Sequence, residues 1–162
     1  MVDAFIGIGS NLQNPVDQVK KAISALESLP DSRLVSVSSL YASKPQGPQD
    51  QPDFVNAVAR LETGLSASNL LCALQSIEKK QGKVKKRHWG ERLIDLDILL
   101  YDAVTIDTPE LVIPHPELTN RDFVLLPLAE LIEDLPIFGR VATLIEALEE
   151  TFVFPMTEPS PE

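Results

Sequence analysis

The chain has 162 residues, 44% hydrophobic and 23% charged. That is the length and balance of one folded domain, and it excludes a disordered chain. A net charge of −10 excludes general affinity for nucleic acid or an anionic membrane, and no apolar run reaches the ~20 residues of a membrane helix. The opening residues lack the basic and then apolar pattern of a secretory signal. The single cysteine, Cys72, leaves no internal disulfide, and with two distant histidines it makes no structural zinc set. A cytoplasmic protein is expected.

Residues 2–9 read as a short apolar strand. Asn14, Pro15 and Asp17 then supply an N-cap, a first-turn proline and an early acid. Val19, Ala22, Ile23, Leu26 and Leu29 recur at helical spacing, so 15–29 is a predicted amphipathic helix that ends at Pro30. Residues 33–42 read as one strand. The Pro-rich stretch 43–52 is a loop. Residues 54–62 alternate and predict a half-buried strand. Ser66 caps a second predicted helix, 67–81, and Gly82 stops it. Residues 93–101, LIDLDILLY, form another strand. A short strand or hairpin follows, then a proline-marked turn at 114–116 and helices near 122–132 and 141–150. The order β-α-β-β-α-β with further helices predicts an α+β, ferredoxin-like sandwich. The helices pack on an antiparallel sheet in a single domain, 1–152, and a loose tail follows over 153–162.

Two features of one region carry chemistry. Residues 79–92, KKQGKVKKRHWGER, hold seven of the fourteen basic residues against one acid. Their net is +6, which leaves −16 for the rest of the chain. Such a run is usually a solvated surface, but here it leads directly into the strand 93–101. Strand alternation puts Leu93, Asp95, Asp97 and Leu99 on one face and Ile94, Leu96, Ile98 and Leu100 on the other. Asp95 and Asp97 project together, ~6.6 Å apart at Cα. Paired hard carboxylates suit Mg²⁺, which completes its shell with water and phosphate oxygens. Cations that hold an anion beside carboxylates that hold a metal are what phosphoryl transfer needs. No standard phosphate loop is present. Gly7-Ile8-Gly9-Ser10-Asn11-Leu12 lacks the third glycine of a dinucleotide fingerprint, so its glycines serve a tight turn or a close backbone approach.

Residues 88–99, HWGERLIDLDIL, closely resemble the signature of the 6-hydroxymethyl-7,8-dihydropterin pyrophosphokinases of folate biosynthesis. Gly9-Ser10-Asn11, the stretch from Gly47 to Ala57, Pro114-His115-Pro116 and Asn120-Arg121-Asp122-Phe123 resemble further family segments in the same order. The resemblance spans about residues 3 to 132. It implies transfer of pyrophosphate from ATP to the pterin hydroxymethyl group, with release of AMP. Asp95 and Asp97 would hold two Mg²⁺ ions, and Asp97 could accept the hydroxyl proton. Arg92 and Lys83 would stabilise phosphate charge. Lys85 and Trp89 match a lid. Gln75, Glu78, Ile98, His115 and Arg121 match the ATP side, with Lys85, Trp89 and Arg92. Phe54 and Phe123 match the rings that sandwich the pterin, and Asn56, Ser43, Gln46, Trp89 and Asp95 its polar contacts.

Each residue has a bland reading alone: Phe54 and Phe123 as core aromatics, His115 as a turn residue, Asn56 as surface. Several positions depart from the commoner pattern. Lys83 and Lys85 stand where arginines are frequent, and lysine lacks their bidentate geometry. Glu110, Val112 and Pro116 replace nucleotide contacts of some members, so no role is carried to them. Two other classes compete with the enzyme. One is a ligand-binding module that makes no AMP. The other is an RNA-binding domain using the basic run, which the net charge and the missing aromatic signature oppose. A monomer acting on small molecules alone is expected.

Overall fold

The computed structural model describes residues 1–44, 50–82 and 93–148, and the backbone of 153–155. Its main sheet is built from β1 (Val2–Ser10), β2 (Ser32–Val37), β3 (Tyr41–Ser43), β4 (Phe54–Thr63), β5 (Asp95–Tyr101) and β10 (Val153–Pro155). The order is β10-β3-β4-β1-β5, and β2 also pairs with β4. All these pairings are antiparallel. Helices α1 (Pro15–Glu27) and α2 (Ala67–Gln81) cover one face, while α3 (Asp122–Leu131) and α4 (Val141–Glu146) pack against the other. Two small hairpins lie between β5 and α4: β6 (Ile106–Asp107) with β7 (Val112–Ile113), and β8 (Asp134–Leu135) with β9 (Gly139–Arg140). The fold is the expected α+β, ferredoxin-like sandwich. Among the described residues no helix is long and apolar enough to cross a membrane.

Two apolar clusters hold the layers together. Ile6, Ile8, Leu61 and Ile98 of the sheet meet Leu26, Leu70 and Leu74 of α1 and α2. On the opposite face Phe5, Val58, Leu99 and Leu100 meet Leu118, Leu125, Leu128 and Val141. Each fully buried leucine contributes about 1.5–3 kcal/mol. Ser66 caps α2 as expected, its hydroxyl accepting from the Asn69 N–H at 3.1 Å. Gly82 ends the helix in the left-handed region, at φ 99°.

Several local expectations are corrected. β4 is buried on both faces rather than half-buried, because α3 covers the side that alternation assigns to solvent. Asn14 does not cap α1 with its side chain; it sits left-handed at φ 61°. The single strand 33–42 is two, β2 and β3. The break falls at Ser38, whose N–H donates to the Val58 carbonyl while its hydroxyl accepts from the Val58 N–H, both at 2.9 Å. The face assigned to Leu100 is also wrong. Phe5 pairs with Leu100 and Ile6 with Ile98, so Leu99 is a bulged extra residue. Beyond the bulge the parity reverses, and Leu100 joins Leu99 in the cluster under α3. Val153–Pro155, expected in a loose tail, pairs with β3 and covers its outer edge.

Helix α3 is tied to the sheet by Glu130. One carboxylate oxygen accepts the Ser39 N–H at 2.9 Å, and the other accepts the Tyr41 hydroxyl. Burial, then this carboxylate, push the Tyr41 phenol up to about 12.

Candidate active site

The sheet register builds the site floor. Gly9 lies opposite Asn56 on one side and Asp95 on the other. Gly7 likewise lies between Val58 and Asp97. Directly opposed residues share a face, so these two rows run side by side under α3. The central strand carries no side chain at either row, which leaves an open trough between β4 and β5. A Cβ at Gly9 would stand 3.3 Å from the Asn56 Oδ1, and one at Gly7 3.3 Å from a Leu99 methyl. The close-approach role expected of these glycines is thus the shape of a floor.

That trough is a cleft of about 260 Å³. Phe54 of β4 and Phe123 of α3 line it, with Asn56 and Ser43. Asn56 is 5% exposed, and its Nδ2 donates to the Ser43 Oγ at 2.7 Å. Asp95, Asp97, His115 and Arg121 line the same cleft. Asp97 is exposed and Asp95 half-buried, both on the cleft side of β5. The bulge helps to place His115, since the Leu99 carbonyl accepts the His115 N–H at 3.0 Å. Arg121 sits at the N-cap of α3, with its guanidinium 5.4 Å from the Phe123 ring centre.

The electrostatics assign His115 a protonation state. Burial, then the Arg121 charge, hold its imidazole below the ordinary range, while Glu117 pulls the other way. Its Nδ1 accepts the Glu117 N–H at 3.1 Å, so the neutral ring carries its proton on Nε2. His115 is therefore a neutral hydrogen-bond donor at neutral pH. Burial also lowers Arg121, against the opposing pull of Glu117 and Asp97. An NMR titration is expected to place the His115 midpoint below about 6.5, and Arg121→Ala should raise it partway, since burial remains. The sign of the coupling follows. The unfolded chain takes the proton first, so this group favours the folded state above about pH 6.5, and that contribution is lost as pH falls through the folded value.

The cleft brings together eight residues marked by the sequence: Ser43, Phe54, Asn56, Asp95, Asp97, His115, Arg121 and Phe123. Three others are not brought there. Gln75 is exposed on α2, on the far side of the sheet. Ile98 points into the core under α1 and α2, so only its backbone could reach a ligand. Glu78 is buried against the start of β5. Gln46, Lys83, Lys85, Trp89 and Arg92 lie outside the described residues. Sequence reading assigned no part to Lys44, Leu99 or Val124, which also line the cleft. For Leu99 the signal was its parity with Asp95 and Asp97. For Lys44 and Val124 there was none, since each depends on how β3 and α3 dock.

Among the described residues no group of three or more His, Cys, Asp or Glu side chains could hold a metal ion. The donor set of Asp95 and Asp97 fits Mg²⁺ and not zinc: hard oxygens only, and few enough to leave coordination positions for water and phosphate.

Comparison with known proteins identifies the family. Residues 5–133 match the family model described as 7,8-dihydro-6-hydroxymethylpterin-pyrophosphokinase. A 2-amino-4-hydroxy-6-hydroxymethyldihydropteridine pyrophosphokinase of Haemophilus influenzae is 53% identical over 135 residues, covering 83% of this chain and 84% of that protein. One from Pseudomonas aeruginosa is 51% identical over 131 residues, 81% of each. The crystal structure of Plasmodium falciparum HPPK-DHPS with pteroate superposes at a TM-score of 0.72 and 14% identity. The match takes in 90% of this chain but only 42% of that one, and at this identity it supports the fold alone. With the family model spanning most of its length and two bacterial relatives above half identity, the chain belongs to the 7,8-dihydro-6-hydroxymethylpterin-pyrophosphokinase family.

Proposed function

We propose that the protein transfers the pyrophosphoryl group of ATP to 6-hydroxymethyl-7,8-dihydropterin, giving the pterin diphosphate and AMP in folate biosynthesis. One observation carries this reading. Two aromatic rings, Phe54 and Phe123, line the same cleft as the Asn56 amide, the Asp95 and Asp97 carboxylates and the Arg121 guanidinium. The pterin ring would lie between Phe54 and Phe123, with its amide and amino edge on Asn56, Ser43 and the backbone near Gln46. The hydroxymethyl group would then point toward Asp95 and Asp97.

The two aspartates would hold two Mg²⁺ ions, which when bound neutralise polyphosphate charge and keep it in place. The His115 Nε2–H would donate to a phosphate oxygen, and Arg121 would supply a fixed positive charge nearby. Arg92 and Lys83 would stabilise charge that develops during transfer. Closure of the segment with Lys85 and Trp89 would exclude water, which otherwise competes as acceptor. The pterin hydroxyl oxygen bonds to the β-phosphorus as the bond from that phosphorus to the AMP oxygen breaks. The hydroxyl proton passes to Asp97 or to water, and AMP leaves in line.

The test is to mix enzyme, ATP, Mg²⁺ and hydroxymethyl-dihydropterin and to separate the nucleotides. AMP is expected to appear one for one with pterin diphosphate. ADP as the product would mean single phosphoryl transfer. Ligand binding without any AMP would identify a non-catalytic module.

A further inference from the structure

Glu78 is 8% exposed and extends from α2 toward β5. Its Oε2 accepts the Leu96 N–H at 2.8 Å. Leu96 stands between Asp95 and Asp97, and among the described strands β5 pairs only with β1. Backbone groups along a strand alternate in direction, so with the Leu96 N–H turned outward, Asp95 and Asp97 are the residues whose N–H and C=O groups face β1. A buried carboxylate thus stands in for a missing neighbour strand at the one residue that separates the two acids.

We infer that Glu78 is a positioning residue: it fixes the backbone between Asp95 and Asp97, and so sets the spacing of the two carboxylates before any cation binds. This rests on the proposed role of the pair in holding Mg²⁺. It gives Glu78 a place beneath the site rather than against the nucleotide.

The test uses the full chain with Glu78→Gln, Glu78→Asp and Glu78→Ala. Two quantities are read: the Mg²⁺ concentration that half-saturates binding of a nonhydrolysable ATP analogue, by calorimetry, and hydrogen exchange at the Leu96 amide. Glu78→Ala is expected to raise the Mg²⁺ requirement about tenfold or more, as lost outer partners of metal ligands do, and to speed Leu96 exchange. Glu78→Asp, one methylene too short, should do the same, and it carries the test if the alanine variant does not fold. Glu78→Gln keeps an acceptor oxygen and should stay within about threefold of wild type, well inside the range expected for a lost partner. Faster Leu96 exchange with an unchanged Mg²⁺ requirement would reduce Glu78 to fold maintenance and overturn the inference. A glutamine variant as impaired as the alanine one, with Leu96 still protected, would also overturn it, because charge and not backbone position would then matter. Wild-type binding that ignores Mg²⁺ would instead remove the metal reading itself.

Discussion

Asp97→Ala is expected to cut AMP formation to roughly a thousandth of wild type, the upper range for a single lost electrostatic group. The fold should survive. Asp97 is exposed on the cleft side of β5, and its neighbours Ile98 and Leu96 carry the packing of that strand. Exposed substitutions of this kind change stability by about 0.5 kcal/mol or less. The split between chemistry and stability is the informative part. Loss of a core residue on the same strand would lower both together, whereas loss of Asp97 should leave thermal unfolding in place and stop the reaction. Asp97→Asn sharpens the point, since it keeps shape and removes only the charge. Single-turnover AMP formation and thermal denaturation on the same preparations check both halves. Near-normal turnover in either variant would end the assignment of the metal pair.

How much of this could be read from the residues depends on the range of the force involved. The acid pair on β5, the cap at Ser66 and the stop at Gly82 are local, set by alternation, a hydroxyl and a missing Cβ, and they stand where expected. The recognised segments around Asn56, His115 and Phe123 reach one cleft because Asn56 lies on β4, Phe123 on the helix packed over it, and His115 in a turn that bonds to the Leu99 carbonyl of β5. What failed was non-local. The bulge at Leu99 depends on how β5 registers against β1, and that register moved Leu100 across the sheet. The break at Ser38 depends on its pairing with Val58. Burial of both faces of β4 depends on where α3 docks, and no pattern within 54–62 reports that. The glycines show the limit most clearly. Gly7 and Gly9 look like half of a phosphate fingerprint, but only their partners across two strand pairs reveal them as the floor of the trough.

Asn56→Ala is expected to weaken pterin binding by roughly one to two orders of magnitude, the loss that follows when buried polar groups are left unpaired. Nucleotide binding should stay unchanged. The reason lies in how little freedom the amide has. Its nitrogen is committed to the Ser43 hydroxyl, and its oxygen lies over Gly9, in the space that a Cβ there would contest. A ring edge that offers donors and acceptors meets an amide already held in one orientation, with a serine O–H beside it. Little ordering cost then remains to be met on binding. Truncation removes that orientation and leaves Ser43 without the donor it accepts from. Asn56→Asp should be worse than alanine. It replaces donors with acceptors and places a second carboxylate opposite Gly9, in the same row as Asp95. The KM for pterin should rise in both variants while the KM for ATP holds, and calorimetry with pterin alone should give the same order. If the pterin KM were unmoved and that for ATP rose, the pterin and nucleotide contacts in the cleft would have been assigned the wrong way round. The aromatic slot of Phe54 and Phe123 would then have to receive the adenine instead.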